Sequence, residues 1–467
     1  MMRPFKRSRQ LIAALASLAL LAGATLTQAE QVPLLGVPQG TIRPAPQRYP
    51  FCPAAANLST TASQIEHLHE GATGWLFRQE ELAGQLQTSP AMNDVVRLLG
   101  STLKQHHTRL IVMISPPRVV LARGKVTSLV PAIRTPDRRQ LLIQYLTINY
   151  GLSQAGAAVP DILGEANRAH LRWDYLTSPA DVHWSPYGAQ IAARAVARIV
   201  MADPVMKSAP KKQYMITRKG TPVVFDGYYA ILDRLCGHKF PVATAPSFAT
   251  AEAVGGGGGG LLGAAPPTIV VAGTSFTALD HRYNFGGFLA AETGADVVNL
   301  SVAGGGPLTA LIQYLASGEL DRAPPRFLIW EVSPTNMPAE GDLSELRAYL
   351  TPACPTPAAN NNSRLIVGET PIFDTASIDP ARAHGPVMLS IQSDNPALKT
   401  FEVVVRNVDG TRQRVAVDFA RAASLAPRYR VMLPDLSIAR SISLVPKTLI
   451  QARVASRLCL SDAGAQS

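Results

Sequence analysis

The sequence predicts an α/β domain with a mostly parallel sheet, followed by a small all-β sandwich. Up to about residue 350, continuous β-branched apolar runs alternate with helical patterns, and from Arg364 onward short β-rich runs are separated by turn signals. Continuous apolar runs indicate strands that are covered on both faces, as in parallel sheets. The 467 residues, 47% hydrophobic and 16% charged, suffice for two or three domains with a sizeable core.

The first residues have the pattern of a targeting segment. A basic stretch precedes an apolar run from Leu11 to about Gly23, and small and polar residues follow as far as Ala29. This layout is typical of a cleaved secretory signal, so we expect residues 1–29 to be removed and the protein to reach the periplasm. The alternative is an uncleaved anchor, but the run is short for a span of about 20 residues. No later segment predicts a transmembrane span.

The net charge favours an anionic partner. Removal of residues 1–29 lowers Lys plus Arg from 44 to 40 while Asp plus Glu stays at 33, so the formal net charge falls from +11 to +7. A modest positive excess favours acidic ligands. Since no nucleic-acid motif accompanies it in an exported chain, we expect an acidic polysaccharide and no nucleic acid.

Four cysteines, Cys52, Cys236, Cys354 and Cys459, give an even count that predicts disulfides in an oxidising compartment. No two of them form a C-x-x-C motif, so no metal site is expected. Four cysteines allow three pairings. Because Cys354 and Cys459 bracket the last hundred residues, we pair them with each other and Cys52 with Cys236.

The predicted α/β domain spans residues 30–350. Its predicted strands are Arg109–Ile114, Thr268–Ala272, Ala295–Leu300 and Arg326–Trp330, and its clearest helices are Gly188–Val200 and Pro307–Ser317. The pattern breaks over residues 203–266, which we interpret as an insertion with a hairpin over Thr221–Leu235 and a flexible loop at Gly255–Gly260. No Lys-Ser or Lys-Thr follows these glycines, so they do not form a P-loop.

The predicted sandwich covers residues 356–467 and follows a turn-rich linker at Asn360–Asn362. Phe401–Val405, Asp409-Gly410 and Arg414–Val417 form a convincing hairpin, with further strands at Tyr429–Leu433 and Ser441–Val445. From residue 351 onward there are 13 basic and 9 acidic residues, and 11 of the basic residues are Arg. Because a guanidinium binds a carboxylate through two parallel hydrogen bonds, this excess favours a polyuronate ligand. The alternative is that these arginines only aid solubility.

Two motifs carry candidate chemistry. Asp181-Val182-His183-Trp184 precedes Ser185-Pro186, which suit the cap and first position of a helix. Gly273-Thr274-Ser275-Phe276 directly follows a predicted strand, so the Ser275 hydroxyl is expected at the carboxyl edge of the sheet.

The two motifs are informative together. A serine hydroxyl becomes a useful nucleophile when a neutral imidazole accepts its proton and a carboxylate orients that imidazole. Each motif alone is weak, because Gly-Thr-Ser is a common capping sequence. In combination with the α/β order they predict that Ser275, His183 and Asp181 form a catalytic triad.

Four motifs follow one another along the chain: Gly74-Trp75-Leu76-Phe77, Asp181-x-His183, Gly273-Thr274-Ser275-Phe276 and Asn284-Phe285-x-Gly287-Phe288-Leu289. In this combination the chain resembles the AlgX/AlgJ family of alginate O-acetylation proteins. The four cysteines and the β-rich C-terminal region resemble the AlgX branch. This resemblance implies a circularly permuted SGNH hydrolase-like fold, in which Asp and His precede Ser, and a carbohydrate-binding sandwich.

The resemblance also implies a function. It implies a periplasmic O-acetyltransferase that transfers acetyl groups through an acyl-serine to O2 or O3 of mannuronate in polymannuronate, without a metal or organic cofactor. A membrane acetylation system would supply the acetyl donor, and proteins of an alginate biosynthesis and export complex would be partners. The alternatives are a polysaccharide acetyl esterase with the same triad and a non-catalytic polysaccharide-binding scaffold of the export complex.

Three further residues complete the predicted site. The N–H groups at a helix N-terminus stabilise developing negative charge, so the N–H of Ser275 is the first oxyanion donor. In SGNH enzymes a glycine after the next strand supplies a second donor, which points to Gly304, with Gly305 as an equal alternative. A tight turn would also explain both glycines. Tyr283 is a candidate substrate contact, and its alternative role is packing.

Overall fold

The computed structural model describes most of the chain between residues 68 and 460. The described residues are 68–72, 75–82, 85–86, 88–126, 137–237, 239, 242–253, 269–351, 357–382, 387–420, 428–433 and 435–460. The predicted signal peptide, Gly74, Cys52, Cys354 and the glycine run lie outside them. Within these ranges, no helix is long and apolar enough to cross a bilayer.

A four-stranded parallel sheet forms the centre of the first part of the chain. Its strands, numbered in chain order with those given below, are β3 (Arg109–Ile114), β8 (Ile269–Ala272), β9 (Val297–Asn299) and β10 (Phe327–Val332). Their order is β3-β10-β8-β9, and each pair is parallel. β8 and β10 are buried along their whole length, which explains why β8 is apolar throughout and β10 is apolar apart from Glu331. The predicted α/β class is therefore confirmed.

Helices connect and cover these strands. They are α1 (Gln79–Leu82), α2 (Met92–Gln105), α3 (Arg118–Leu121), α4 (Arg138–Gln154), α5 (Ile162–Arg168), α6 (Pro186–Ala202), α7 (Pro204–Ser208), α8 (Tyr229–Cys236), α9 (Ser275–Ala278), α10 (Asp280–Tyr283), α11 (Phe285–Thr293), α12 (Thr309–Ser317), α13 (Glu319–Arg322) and α14 (Glu340–Leu350). A 3₁₀ turn occupies Trp173–Leu176. The helix predicted over Gly188–Val200 is α6, and the one predicted over Pro307–Ser317 is α12.

Three short antiparallel pairs accompany the parallel sheet. They are β1 (Leu68–Glu70) with β2 (Leu76–Arg78), β4 (Tyr214–Arg218) with β7 (Phe248–Glu252), and β5 (Val223–Phe225) with β6 (Ala243–Ala245). The hairpin predicted over Thr221–Leu235 is wrong. The second half of this segment is the helix α8. The strand that pairs with β5 is β6, which follows α8 in the sequence.

The C-terminal part is a sandwich of two four-stranded antiparallel sheets, as predicted. Its elements are β11 (Ala359–Leu365), β12 (Thr370–Phe373), α15 (Thr375–Arg382), β13 (Val387–Ser393), β14 (Thr400–Asn407), β15 (Arg412–Asp418), β16 (Arg428–Met432), β17 (Ala439–Pro446) and β18 (Ala452–Leu460). The sheet orders are β11-β18-β13-β16 and β12-β17-β14-β15. The predicted linker Asn360–Asn362 instead lies in the edge strand β11, where ladder pairing with β18 outweighs the low strand propensity of asparagine.

One outward face of the sandwich is polar and basic. The residues of the sheet β11-β18-β13-β16 that we call the polar face are Asn360, Asn362, Arg364, Gln392, Arg428, Arg453 and Arg457, all exposed. The register places Arg364 opposite Arg453, and Asn360 opposite Arg457. None of these exposed strand positions is Asp or Glu. This face therefore presents guanidinium and amide groups, together with one exposed carboxylate at its edge, Asp394, whose Oδ1 accepts from Arg453 N at 2.8 Å.

Arg430 on β16 joins the sandwich to the first part of the chain. Its Nη1 donates to the carbonyl oxygens of Tyr349 at 3.1 Å and Thr351 at 2.6 Å. Its backbone N–H donates to the Tyr349 hydroxyl at 3.2 Å. The guanidinium thus caps the C-terminus of α14, where carbonyl groups lack partners within their own helix.

Cys236 at the end of α8 and Cys459 on β18 are both disulfide-bonded. Cys459 packs against Ala348 of α14 and Met388 of β13. Because Cys52 and Cys354 lie outside the described residues, the two predicted pairings stay predictions.

Candidate active site

The loop before α6 is held in a tight conformation by its own sequence. The Ser185 hydroxyl accepts a hydrogen bond from Gly188 N at 3.1 Å, and Pro186 is the first helical residue, as predicted. A Cβ at Gly188 would lie 2.0 Å from the carbonyl oxygen of Leu176, so only glycine fits there. The Thr177 and Trp184 backbones form a bridge that closes the loop. Asp181 and His183 are displayed between these two positions.

Ser275 is the first residue of the short helix α9, directly after β8. The Thr274 hydroxyl caps this helix by accepting from Phe276 N at 3.4 Å. The backbone N–H of Ser275 has no hydrogen-bond partner among the described residues. This strand-to-helix turn presents both the Ser275 hydroxyl and a free N–H donor at the carboxyl edge of the sheet.

The two segments bring Asp181, His183 and Ser275 into one hydrogen-bonded chain. His183 Nδ1 lies 2.7 Å from Asp181 Oδ1, and His183 Nε2 lies 2.7 Å from Ser275 Oγ. The His183 side chain is 13% exposed and that of Asp181 is 6% exposed. This is the geometry in which a carboxylate orients an imidazole and the imidazole accepts a proton from a hydroxyl.

The electrostatic surroundings keep Asp181 ionised. Burial alone would raise the pKa of Asp181, but the hydrogen bonds from His183 and the nearby Arg282 guanidinium hold that pKa below its usual value. Arg282 Nη2 lies 3.9 Å from Asp181 Oδ2 and 3.8 Å from Asp226 Oδ1. A charged Asp181 can stabilise the imidazolium that forms when His183 accepts a proton.

A family model described as the SGNH hydrolase-like domain of the acetyltransferase AlgX matches residues 68–334. The chain belongs to this family. The resemblance found in the motifs is therefore confirmed, and the matched range contains all three residues of the hydrogen-bonded chain.

Two curated relatives and one solved structure are similar to this AlgX-family chain. Alginate biosynthesis protein AlgX of Pseudomonas syringae pv. tomato is 29% identical over 403 residues, 82% of this chain and 81% of that protein. The probable alginate O-acetylase AlgJ of Azotobacter vinelandii is 28% identical over 285 residues, 60% of this chain and 71% of that protein. Pseudomonas aeruginosa AlgX has a TM-score of 0.71 at 24% identity, covering 88% of this chain and 99% of that one, which supports the fold.

Two aromatic rings pack against the imidazole of this AlgX-family site. The ring centroids of Phe276 and Tyr283 lie 5.1 and 5.6 Å from that of His183. Tyr283 is fully buried, so it has no surface that a substrate could contact. This burial favours the packing alternative, and the expected substrate contact stays a prediction.

The predicted oxyanion loop lies against the turn that carries Ser275. Val302 N donates to Gly273 O at 3.0 Å, and Gly305 N donates back to Val302 O at 3.2 Å. Gly304 has φ of 68°, in the left-handed region that favours glycine. Since the N–H of Gly305 is engaged within the loop, the geometry favours Gly304 as the second donor, a role that stays a prediction.

Sequence reasoning missed a buried arginine that holds the Asp181 loop in this AlgX-family chain. Arg118 is 5% exposed and pairs with Glu81 Oε1 at 2.7 Å. Its Nη2 donates to the carbonyl oxygens of Ser178 at 2.8 Å and Pro179 at 3.2 Å. The chain separation of 60 residues explains the omission, because no local pattern links Arg118 to this loop.

Sequence reasoning also missed Glu331, a fully buried carboxylate on β10. Its Oε2 accepts from Thr274 N at 2.7 Å, directly before the predicted nucleophile. A signal was present, because an acidic residue inside the apolar run Phe327–Val332 is unusual for a strand covered on both faces. The predicted strand ended at Trp330, one residue before it.

A small cavity lies at the carboxyl ends of β3 and β10. Its lining includes Ser115, Pro116, Val182, Phe276 and Pro334. Its lining also includes the buried Glu81 and Arg118 and none of Asp181, His183 and Ser275, so this cavity does not identify a substrate site. Among the described residues there is no group of three or more His, Cys, Asp or Glu side chains that could hold a metal ion.

Proposed function

We propose that this chain is an O-acetyltransferase that transfers acetyl groups through an acetyl-Ser275 intermediate to hydroxyls of an acidic exopolysaccharide, namely alginate in its polymannuronate form. The observation that carries the proposal is the pair of 2.7 Å contacts joining Asp181, His183 and Ser275. The relatives named as alginate biosynthesis proteins and as a probable alginate O-acetylase support the choice of reaction and polymer.

In the first half-reaction, Ser275 Oγ attacks the carbonyl carbon of the acetyl donor while His183 Nε2 accepts the Ser275 proton. The tetrahedral oxyanion takes hydrogen bonds from the N–H of Ser275 and from Gly304. When the intermediate collapses, the donor's leaving group departs with the proton from His183, and Ser275 carries the acetyl ester. Asp181 stabilises the imidazolium between these two proton transfers.

In the second half-reaction, a sugar hydroxyl replaces the donor's leaving group in the site. His183 Nε2 accepts the proton of this hydroxyl, and the sugar oxygen attacks the acetyl-Ser275 carbonyl. Collapse of the second tetrahedral intermediate releases O-acetylated polymer, and His183 returns the proton to Ser275 Oγ. The acceptor hydroxyl is O2 or O3 of mannuronate, and no metal or organic cofactor takes part.

The sandwich supports the choice of an acidic acceptor. Its polar face presents Arg453 and Arg457 along one strand and Arg364 on the neighbouring strand. A polyuronate carries a carboxylate on every sugar, and guanidinium groups bind carboxylates through two parallel hydrogen bonds. We place polymer binding on this face, which would keep the acceptor near Ser275.

The proposed reaction takes place in the periplasm, after removal of residues 1–29. The acetyl donor comes from a membrane acetylation system, and the partners are proteins of an alginate biosynthesis and export complex. The matches to alginate biosynthesis proteins support this setting.

The test is acetyl transfer by the purified full-length mature chain. The protein is given 4-nitrophenyl acetate as donor, with and without mannuronate oligomers, and the oligomers are examined by mass spectrometry. We expect a mass gain of one acetyl group or more on the oligomers, and none with the Ser275→Ala variant. Release of free acetate at the same rate with and without oligomers, and with no acetylated product, would favour the esterase alternative.

A further inference from the structure

The buried carboxylate of Glu331 contacts the turn that carries Ser275. Glu331 near the carboxyl end of β10 is 0% exposed. Its Oε2 accepts from the backbone N–H of Thr274 at 2.7 Å and lies 2.9 Å from the Thr274 hydroxyl. Thr274 is the residue directly before Ser275, so Glu331 holds the peptide that leads into the nucleophile.

A second hydroxyl extends this contact to the oxyanion loop. Thr277 Oγ1 lies 3.2 Å from Glu331 Oε2 and 2.7 Å from Ser301 Oγ. The Thr277 hydroxyl donates to Ser301 Oγ, and Glu331 Oε2 lies against the same hydroxyl. The carboxylate thereby connects both segments that carry the proposed oxyanion donors.

The Glu331 side chain packs closely against the backbone of the turn at Gly273. A Cβ at Gly273 would lie 2.6 Å from Glu331 Oε2 and 2.4 Å from Thr277 Oγ1, so glycine is required for the carboxylate to approach the backbone. Burying a carboxylate is costly unless donors surround it, and here a backbone N–H and two hydroxyls do so. The packing and the hydrogen bonds therefore both fix the turn relative to β10.

We propose that Glu331 is a positioning residue for the nucleophile: its carboxylate fixes the Thr274 peptide, so that Ser275 Oγ stays within reach of His183 and the Ser275 N–H faces the oxyanion. This role rests on Ser275 being the nucleophile, as proposed above. It acts through Thr274 and Thr277, since Glu331 is buried and meets no substrate.

Glutamine, which has a neutral side chain, is the informative replacement for Glu331. Burial raises the pKa of Glu331 to about 7, although the Thr274 and Thr277 hydrogen bonds and the nearby His183 oppose this rise. In Glu331→Gln, the amide oxygen can still accept from Thr274 N, and the amide nitrogen can donate to Thr277 Oγ1. Glu331→Ala removes both contacts.

The experiment measures the rate constant for acylation of Ser275, read from the burst of 4-nitrophenol with 4-nitrophenyl acetate. A misplacement of about 1 Å at a reacting group can cost roughly 100-fold, so we expect about a 100-fold slower acylation in Glu331→Ala with an unchanged dissociation constant for the donor. Glu331→Gln should retain acylation within about fivefold of the wild-type chain, because it keeps the contact to Thr274.

A second pair of variants distinguishes a positioning effect from a loss of folding. Thr277→Val removes the hydroxyl at nearly constant volume and should slow acylation about tenfold, whereas Thr277→Ser should retain more of the rate. The matched control is Asp203→Asn, since Asp203 is another buried carboxylate but contacts Arg109 and Arg326 at the amino ends of β3 and β10. It should lower stability and leave acylation per folded molecule unchanged.

Three results would overturn the proposal. These are wild-type acylation in folded Glu331→Ala, an equal loss in Glu331→Gln and Glu331→Ala, or no difference between Thr277→Val and Thr277→Ser. The readout is acylation of Ser275, which does not depend on the acceptor. If Ser275 is acylated and the oligomers are not acetylated, the proposed function fails while the role of Glu331 is still decided.

Discussion

At the residue scale, the three side chains of the hydrogen-bonded chain act together. Ser275→Ala should abolish acetyl transfer and leave the unfolding temperature nearly unchanged, because the hydroxyl lies at a surface turn. His183→Ala should be about as damaging, and Asp181→Ala somewhat milder. The double variant of Ser275 and His183 should be no worse than either single variant, since triad residues act as a unit. Transfer rates and thermal unfolding of the four variants check this.

The outcome that would contradict this prediction is additivity. If the double variant loses the product of the two single losses, Ser275 and His183 contribute through separate steps. A Ser275→Ala variant that keeps more than about one-hundredth of the activity would exclude Ser275 as the nucleophile, because loss of a triad nucleophile costs about 10⁶-fold.

Local sequence predicted the side chains of the hydrogen-bonded chain but not those that hold them in place. Asp181, His183 and Ser275 lie in short motifs next to a helix cap or a buried strand, where a few neighbouring residues define the geometry. Arg118 and Glu331 contact these motifs across 60 and 57 residues of chain. Such contacts depend on how the strands are ordered in the sheet, which no single segment encodes.

At the element scale, Asp203 connects the strands β3 and β10 to the helix α7. It precedes α7, and its Oδ2 lies 3.1 Å from Arg109 Nη1 and 2.7 Å from Arg326 Nη2. Burial alone would raise the pKa of Asp203, but the hydrogen bonds from Arg326 and Arg109 lower it to about 2. These two arginines flank the amino ends of β10 and β3.

This pKa predicts how stability depends on pH. A carboxyl with a lowered folded pKa stabilises the fold above its unfolded value of about 3.9 and loses that contribution as the pH falls toward 2. Asp203→Asn should therefore cost about 1–2 kcal/mol at pH 7, since both arginines are partly exposed to solvent. Urea unfolding from pH 7 to pH 3 should show the gap between variant and wild type narrowing. A gap independent of pH would contradict the ion-pair explanation.

Strands were predicted correctly where burial of apolar side chains determines them. They were predicted incorrectly where pairing with a strand distant in sequence determines the structure. The strands β3, β8 and β10 are mostly apolar runs, and all three appear within a few residues of their predicted bounds. Asn360–Asn362 looked like a linker because asparagine favours turns, yet β18 supplies ladder partners for all three. The hairpin predicted over Thr221–Leu235 was wrong for a related reason. The strand that pairs with β5 is β6, which follows α8 in the sequence.

At the scale of the whole molecule, the polar face predicts salt-dependent polymer binding by the full chain. The Arg453→Gln, Arg457→Gln double variant should bind polymannuronate about three- to tenfold more weakly, since exposed ion pairs contribute about 0–1 kcal/mol each. Raising salt should weaken wild-type binding severalfold, because screening limits such contacts to about 8 Å at physiological ionic strength. Titration calorimetry on the Ser275→Ala background measures both effects.

The matched control for this binding test lies on the other sheet. Arg414 on β15 is exposed but pairs with Glu402 at 2.8 Å, so Arg414→Gln should leave binding unchanged. Equal losses in both variants would show that net charge rather than the polar face binds the polymer. Preference for a neutral glucan would exclude a polyuronate ligand.

The disulfide framework also belongs to this scale. Peptide mapping of non-reduced protein should give Cys52–Cys236 and Cys354–Cys459. Loss of a native disulfide costs about 2–5 kcal/mol in secreted domains, so reduction should lower the unfolding temperature markedly. A Cys52–Cys459 peptide would contradict the predicted division of the chain.

The contact made by Arg430 bears on how the two parts of the chain unfold. A helix whose last carbonyl groups are bound by a guanidinium of the sandwich cannot fray without breaking that contact. Arg430 is partly buried, and desolvation lowers its pKa, so the contact is shielded from solvent. We therefore expect a single calorimetric transition for the wild-type chain. Arg430→Met removes bonds worth roughly 1.5–3 kcal/mol each and should separate that transition into two. Two transitions already present in the wild type would mean that the catalytic part and the sandwich melt independently.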